Sequence, residues 1–346
     1  MRFLALGDLP VADSLRALPG VQAGAAAPAL TWSREMFARA ERHGVAGVLW
    51  DAWKANDTPI DRELATKLET RALAREMDHA AHRALLHRID DALVARDLAA
   101  IALKGPLFAA RYYARPSSRG TSDIDLLVAE SDVRPAIEAL AAADYHLADT
   151  SEEVAWSLRE HHHLHLARGG APDLELHFHA YRGFGVTLRT EMLAERSVPI
   201  AGLRAIRVAS AVDELVYLAV HAAAHRFGRL AWLHDLRLVV ERLSPDELAT
   251  AAKRARAWGV GRALSLAGEL LVDVLGVSSE VTRPLGTLPS TRRAVLYAVL
   301  AEPEARVLSA ATRFAYTTLL ADSMAASLRY AQKSSLGHAR RLLGLD

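Results

Sequence analysis

Residues 123–128 read Asp-Ile-Asp-Leu-Leu-Val, acid alternating with apolar and then wholly apolar. Period-two alternation is strand periodicity: side chains two apart project to the same side. Asp123 and Asp125 therefore share one face, Ile124 and Leu126 the other, and the apolar end enters a core. Two carboxylates side by side repel unless a cation neutralises them. Hard, oxygen-rich ligation of this kind suits Mg²⁺ or Mn²⁺. The plainer alternative is a strand end carrying two solvated acids.

Around this strand the pattern is mixed. Ala99–Leu103 is a short apolar run ending in Lys104-Gly105-Pro106, followed by a helical run over 107–113 and a polar turn. A helix is expected from about Asp132 to Ala143, with Asp132 as N-cap and Pro135 in the first turn. Residues 162–180 form two alternating runs around Gly169-Gly170-Ala171-Pro172, which reads as a β-hairpin. Residues 181–207 read as a loop.

Both flanks read as helical. Trp32, Met36, Phe37 and Ala40 recur at helical spacing until His43-Gly44, after an uncharged Gly/Pro/Ala-rich loop over 17–30. Leu64, Leu68, Met77, Ala81, Leu85, Ile89 and Leu93 recur about every four residues without Pro or Gly, predicting one long helix or two nearly continuous ones. Later helices are expected at 210–226, 230–243, 245–257, 261–275, 290–301 and 304–331. The expected class is α+β: an N-terminal helical region over 1–98, a small mixed-sheet core over 99–200, and a C-terminal helical domain over 201–346.

Composition narrows the chemistry. With 51% hydrophobic residues in 346, the chain has ample material for two or three packing units. It contains no cysteine, so disulfides, thiolate zinc sites and Cys nucleophiles are excluded. A net charge of +1 supplies no global field toward nucleic acid. Asp8 and Pro10 interrupt the opening apolar residues, and no run approaches the roughly 18–20 apolar residues of a membrane span. The expectation is a soluble, cytoplasmic protein.

The turn before the acidic strand adds phosphate chemistry. Gly105 permits close backbone approach, Pro106 starts a helix whose N-terminus favours an anion, and Lys104 and Arg119 add positive charge. On the second hairpin strand Asp173, Glu175, His177 and His179 share one face, opposite Leu174, Leu176 and Phe178. A third carboxylate facing an acid pair is what two-metal phosphoryl transfer requires.

The run from Leu103-Lys104-Gly105 through Arg119 to Ser122-Asp123-Ile124-Asp125-Leu126-Leu127-Val128 resembles the core of the DNA-polymerase-β-like nucleotidyltransferase superfamily. The resemblance is nearest to the bacterial group of uncharacterised nucleotidyltransferase family proteins, whose later D-L-H-W strand corresponds to Asp173–Phe178. It implies a polymerase-β-like palm and a Mg²⁺-dependent, NTP-using (ATP-binding) transferase acting on an acceptor hydroxyl. By it Asp123, Asp125 and Glu175 are the catalytic and metal-binding acids, with Asp173 as the other claimant for the third. Lys104, Gly105, Arg119, Ser122 and His177 would contact the nucleotide. Pro106 departs from the superfamily's Gly-Ser or Gly-Gly turn and removes an N–H, so Lys104 or Arg119 would substitute. The sequence leaves open transfer at the α- or the γ-phosphate.

The histidines invite rival readings. His161, His162, His163 and His165 precede His177 and His179; of these His163, His165, His177 and His179 could hold Zn²⁺ on one hairpin face, or line the cleft. His221, His225, His234 and Asp235 resemble an HD-type metal phosphohydrolase set, though the same string also resembles the helical segment after a nucleotidyltransferase core. A non-catalytic nucleotide-binding or regulatory module is the third class. The acceptor is a protein, peptide or small molecule, or RNA if Arg329, Lys333, Arg340 and Arg341 form a basic face.

Overall fold

A computed structural model describes residues 9–16, 18, 33–55, 60–148, 150–300 and 309–332. Its centre is a seven-stranded mixed sheet in the order β3-β4-β5-β2-β1-β9-β8. The strands are β1 (Ala100–Ala102), β2 (Asp123–Leu127), β3 (His146–Leu147), β4 (His163–Ala167) and β5 (Asp173–His177), with β8 (Val198–Pro199) and β9 (Ile206–Val208). A separate hairpin pairs β6 (His179–Gly183) with β7 (Val186–Arg189).

Registers follow from the alternation. β2 and β5 run parallel, pairing Asp123 with Asp173 and Asp125 with Glu175. β4 and β5 form the expected hairpin, with His165 opposite Glu175 and His163 opposite His177. Ile124, Leu126, Leu164, Leu166, Leu174 and Leu176 are each at most 1% exposed on the opposite face. They pack with Leu85, Leu86, Ile89 and Leu93 of the long helix α4 (Arg62–Val94). A slip of one residue would bury the acids and expose this core, which is why the register is unique.

Among the described residues, three helices precede α4: α1 (Leu9–Arg16), α2 (Arg34–Arg42) and α3 (Ala46–Ala55). Ser33 caps α2 through Met36 N–H, and Met36, Phe37 and Ala40 are buried as expected. Trp32, and all but Leu18 of the predicted loop at 17–30, lie outside the described residues. The long helix forms as one piece, but its predicted apolar stripe fails in the middle, where Met77 is 65% exposed. Leu64 and Leu68 join one hydrophobic cluster and Leu85 to Leu93 another, so the helix spans two cores and its midsection faces solvent.

After β1 come α5 (Pro106–Tyr112), α6 (Val133–Ala141) and α7 (Ser151–Glu160), and after β7 a short α8 (Glu191–Ala194). The C-terminal helices are α9 (Ala211–Ala224), α10 (Leu230–Val240), α11 (Pro245–Ala257), α12 (Gly261–Leu275), α13 (Ser279–Thr282), α14 (Ser290–Leu300) and α15 (Ala310–Leu320). Their buried residues share one cluster with α1, α2 and α3 and with Ile101, Leu103 and Leu127 of the sheet.

Three expectations change. Asp132 occupies the N-cap position of α6 without a side-chain cap bond, its carboxylate instead accepting from Ser131 Oγ at 3.0 Å. Residues 181–207 are not a loop: β9 inserts beside β1, because the buried Asp90 carboxylate collects the N–H groups of Arg204, Ala205 and Ile206 at 2.8–3.1 Å. The helix predicted over 304–331 breaks after Leu320, where Asp322 turns to cap α12 through the N–H groups of Gly261 and Arg262.

Candidate functional site

Strands β2 and β5 place Asp123, Asp125, Glu175 and His177 on one face. Asp125 is buried, Glu175 half-buried and Asp173, at the entry of its strand, exposed. Lys104, at the end of β1, reaches across β2: its Nζ lies 3.1 Å from Asp123 Oδ2 and 2.9 Å from Asp125 Oδ2. His177 Nε2 lies 3.3 Å from Asp125 Oδ1 and 3.3 Å from Glu175 Oε2. Ser122 Oγ donates to Asp123 Oδ1 at 3.3 Å.

These contacts set the charge states. Burial opposes ionisation of Glu175, but the His177 hydrogen bond and the positive potential of His177, His163 and Lys104 outweigh it, holding the carboxyl at about 2. Burial lowers His177, yet its bonds to Asp125 and Glu175 leave it raised above its ordinary value. Lys104 is likewise raised, burial being outweighed by Asp125 and Asp123. Lys104, Asp123, Asp125, Glu175 and His177 thus form one connected network of ion pairs.

Gly105 shapes the turn. Its φ of +81° is open to glycine and strained for other residues, and it precedes Pro106 at the start of α5. A Cβ there would sit 3.4 Å from Asp123 O, so the turn lies directly against the acidic strand.

Arg119 and Asp235, separated by 116 positions, form a buried fork. Arg119 donates from Nε at 3.0 Å and from Nη2 at 2.8 Å, and Tyr113 Oη adds a 2.6 Å bond to the same carboxylate. The guanidinium also lies 5.3 Å from the Phe108 ring. Its remaining Nη1 reaches Thr121 Oγ1 at 3.4 Å. Arg119 therefore ties the turn before the acids to α10.

This accounts for Asp235 and corrects the phosphohydrolase grouping. Among the described residues, His221, His225, His234 and Asp235 supply no group of three converging ligand atoms. The buried His234 ring meets Tyr113 edge-on at 5.5 Å, and burial holds its imidazole down at about 4. His221 and His225 instead pack against Trp232, edge-on at 5.5 Å and tilted at 5.2 Å between ring centroids.

His179 leaves the predicted face. The chain departs from the sheet after His177, when Phe178 and His179 both donate N–H to His162 O. Thr190 Oγ1 then fastens Phe178 O at 3.1 Å, and the closest carboxylate to the His179 ring is Glu130 at 3.9 Å. Of the late basic segment, Arg329 donates to Gly185 O, and Lys333, Arg340 and Arg341 lie outside the described residues.

Tyr217 is the residue sequence reasoning missed. It is buried on α9, and burial followed by the charges of Asp125, Glu175 and Asp123 pushes its hydroxyl well above its ordinary value. One turn on, His221 is held well below its ordinary value by burial and by Lys104. The i, i+4 spacing of Tyr217 and His221 was the available signal, and both side chains feel the charges of the acidic cluster.

The donor chemistry fits a divalent cation. Asp125, Glu175 and His177 each offer a ligand atom within 4.8 Å of the others, and the buried Asp125 Oδ2 is met by the Lys104 ammonium, a cation, at 2.9 Å. Asp123 joins this set through Lys104.

The family model described as uncharacterised nucleotidyltransferase matches residues 30–276. A comparison with curated proteins finds no match. Among solved structures, that of the antibiotic-resistance factor ANT(2'')-Ia is similar at a TM-score of 0.38 and 14% identity, over 51% of this chain and 94% of that one, a distant likeness.

Proposed function

The chain belongs to the uncharacterised nucleotidyltransferase family, and we propose that its acidic cluster moves a nucleoside monophosphate from an NTP to an acceptor hydroxyl. The observation that carries the reading is the in-register pairing of Asp125 with Glu175 beside Asp123, spanned by Lys104. Asp123, Asp125 and Glu175 would hold Mg²⁺ (or Mn²⁺), which supplies Lewis-acid charge stabilisation to the phosphates when bound. We take Glu175 rather than Asp173 as the third acid, because it is half-buried and bonded to His177 while Asp173 is exposed.

The protein's own groups do the rest. Held at about 2, Glu175 is ionised across the physiological range, which suits a cation ligand and makes it a weak base. Lys104 neutralises the acids in this structure and would offer its positive charge to the phosphates of a bound nucleotide. The Gly105 turn admits the triphosphate close to the backbone, and Ser122 and His177 orient Asp123 and Asp125. Arg119, anchored by Asp235, positions this turn and offers its Nη1 side. The acceptor oxygen attacks the α-phosphorus in line, its proton passes to a carboxylate of the cluster, and pyrophosphate leaves. The acceptor class is a protein, peptide or small molecule.

A screen with Mg²⁺ and each α-labelled NTP tests this. Label transfer with pyrophosphate release is expected, and its disappearance in Asp123→Ala. Transfer that survives Asp123→Ala, or binding of nucleotide without turnover, overturns the proposal.

A further inference from the structure

We propose that His163, His165 and Glu175 form a second metal site, for a borderline transition-metal ion such as Zn²⁺, next to the acids assigned to Mg²⁺. The inference goes beyond nucleotidyl transfer and shares only Glu175 with it. Antiparallel pairing sets His165 directly opposite Glu175, and Leu164 and Leu166, both fully buried, hold β4 so that His163 and His165 face the same side. One ligand atom from each of the three lies within 4.8 Å of the others.

The spacing matches the ion. His163 Nε2 and His165 Nε2 are 3.2 Å apart. Two nitrogens on a tetrahedral Zn²⁺, at about 2.0–2.1 Å from the metal, stand roughly 3.3–3.4 Å apart. A second neighbouring triad, His162 with His163 and His177, lacks a carboxylate to balance the ion's charge. Across the sheet the donors are therefore graded, with oxygens on β2 and imidazoles on β4. Magnesium selects the first kind and zinc the second. His165 is exposed, which leaves a solvent-facing fourth position for water or a substrate group.

The test uses the full chain with Zn²⁺ alone as probe, in excess Mg²⁺ and without nucleotide, measured by equilibrium dialysis and elemental analysis. Visible absorption of the Co²⁺-substituted protein serves as a second readout. One Zn²⁺ per chain is expected. His165→Ala, at an exposed position that leaves the fold intact by circular dichroism, should weaken binding by more than about 100-fold, beyond what loss of a group that merely orients a ligand costs. Asp123→Ala should bind Zn²⁺ as the parent does. Absence of stoichiometric zinc, zinc binding indifferent to His165→Ala, or loss in His177→Ala alone overturns the proposal; in that last case the ion sits with Asp125, Glu175 and His177. Failure of the transfer reading would show as absence of pyrophosphate release with zinc stoichiometry unchanged, so the two failures are distinguishable.

Discussion

Replacing Lys104 with Met tests whether the acids depend on an internal cation. The ammonium sits 3.1 and 2.9 Å from two carboxylates, and the Asp125 side chain has no exposed surface. At an effective dielectric of about 20, each contact is worth roughly 5 kcal/mol in gross Coulomb energy, most of it offset by desolvation. What the variant leaves behind is a buried carboxylate with only His177 to meet it. Removing one partner of such a pair costs about 3–5 kcal/mol. Met keeps most of the side-chain volume, so a cavity contributes little. The assay is urea unfolding with and without Mg²⁺, read as ΔG at constant m. Lys104→Met should lose about 3–5 kcal/mol without Mg²⁺. Millimolar Mg²⁺ should restore more of that stability in the variant than it adds to the parent, because the ion no longer competes with the ammonium. Adding Asp125→Asn should recover part of the loss, since the pair is then removed together. A variant within about 0.5 kcal/mol of the parent, or one indifferent to both Mg²⁺ and Asp125→Asn, would refute the claim that these acids need a cation.

Three further outcomes follow from the same geometry. Asp235→Ala strands the buried Arg119 and Tyr113 hydroxyl, so it should cost about 3–5 kcal/mol by denaturant unfolding and depress nucleotidyl transfer although Asp235 lies on the distant α10. Glu214 is buried and, despite a 2.9 Å bond from Arg111, burial raises its carboxyl to about 7. With its folded pKa above the unfolded value of 4.5, its contribution is fully present below about pH 4.5 and fades as pH rises through 7, by about 3 kcal/mol; Glu214→Gln should flatten that window of the stability profile. Gly105→Ala has room for the methyl group but must hold φ at +81°, so a loss of about 1–2 kcal/mol in thermal or urea unfolding is expected, with weaker nucleotide binding by titration calorimetry.

Much of the site could be read locally. The alternation in Asp123–Val128 and in Asp173–His177 placed four acids on faces that the structure sets in register. The Lys104-Gly105-Pro106 run gave the turn that lies against them, with the positive φ found at Gly105. The same logic misplaced His179, because period-two counting has no means of knowing where a strand ends. Here the end is set by the His162 carbonyl and by Thr190, both supplied from elsewhere in the chain. Asp235 tells a similar story: it read as a metal ligand from its neighbour His234, and its carboxylate is in fact consumed by Arg119.

Alternation and turn chemistry act over two to four residues, so the sequence alone determined the acidic strand, the hairpin and the helical flanks. Charge pairing in a core acts through space between groups brought together only by packing. Tertiary structure therefore decided that Lys104 lies between Asp123 and Asp125, that Arg119 is anchored 116 positions away, and that the buried Tyr217 of α9 feels the charge of the acids. It also decided that β9 joins the sheet, because the buried Asp90 needed backbone N–H groups and residues 204–206 supply them.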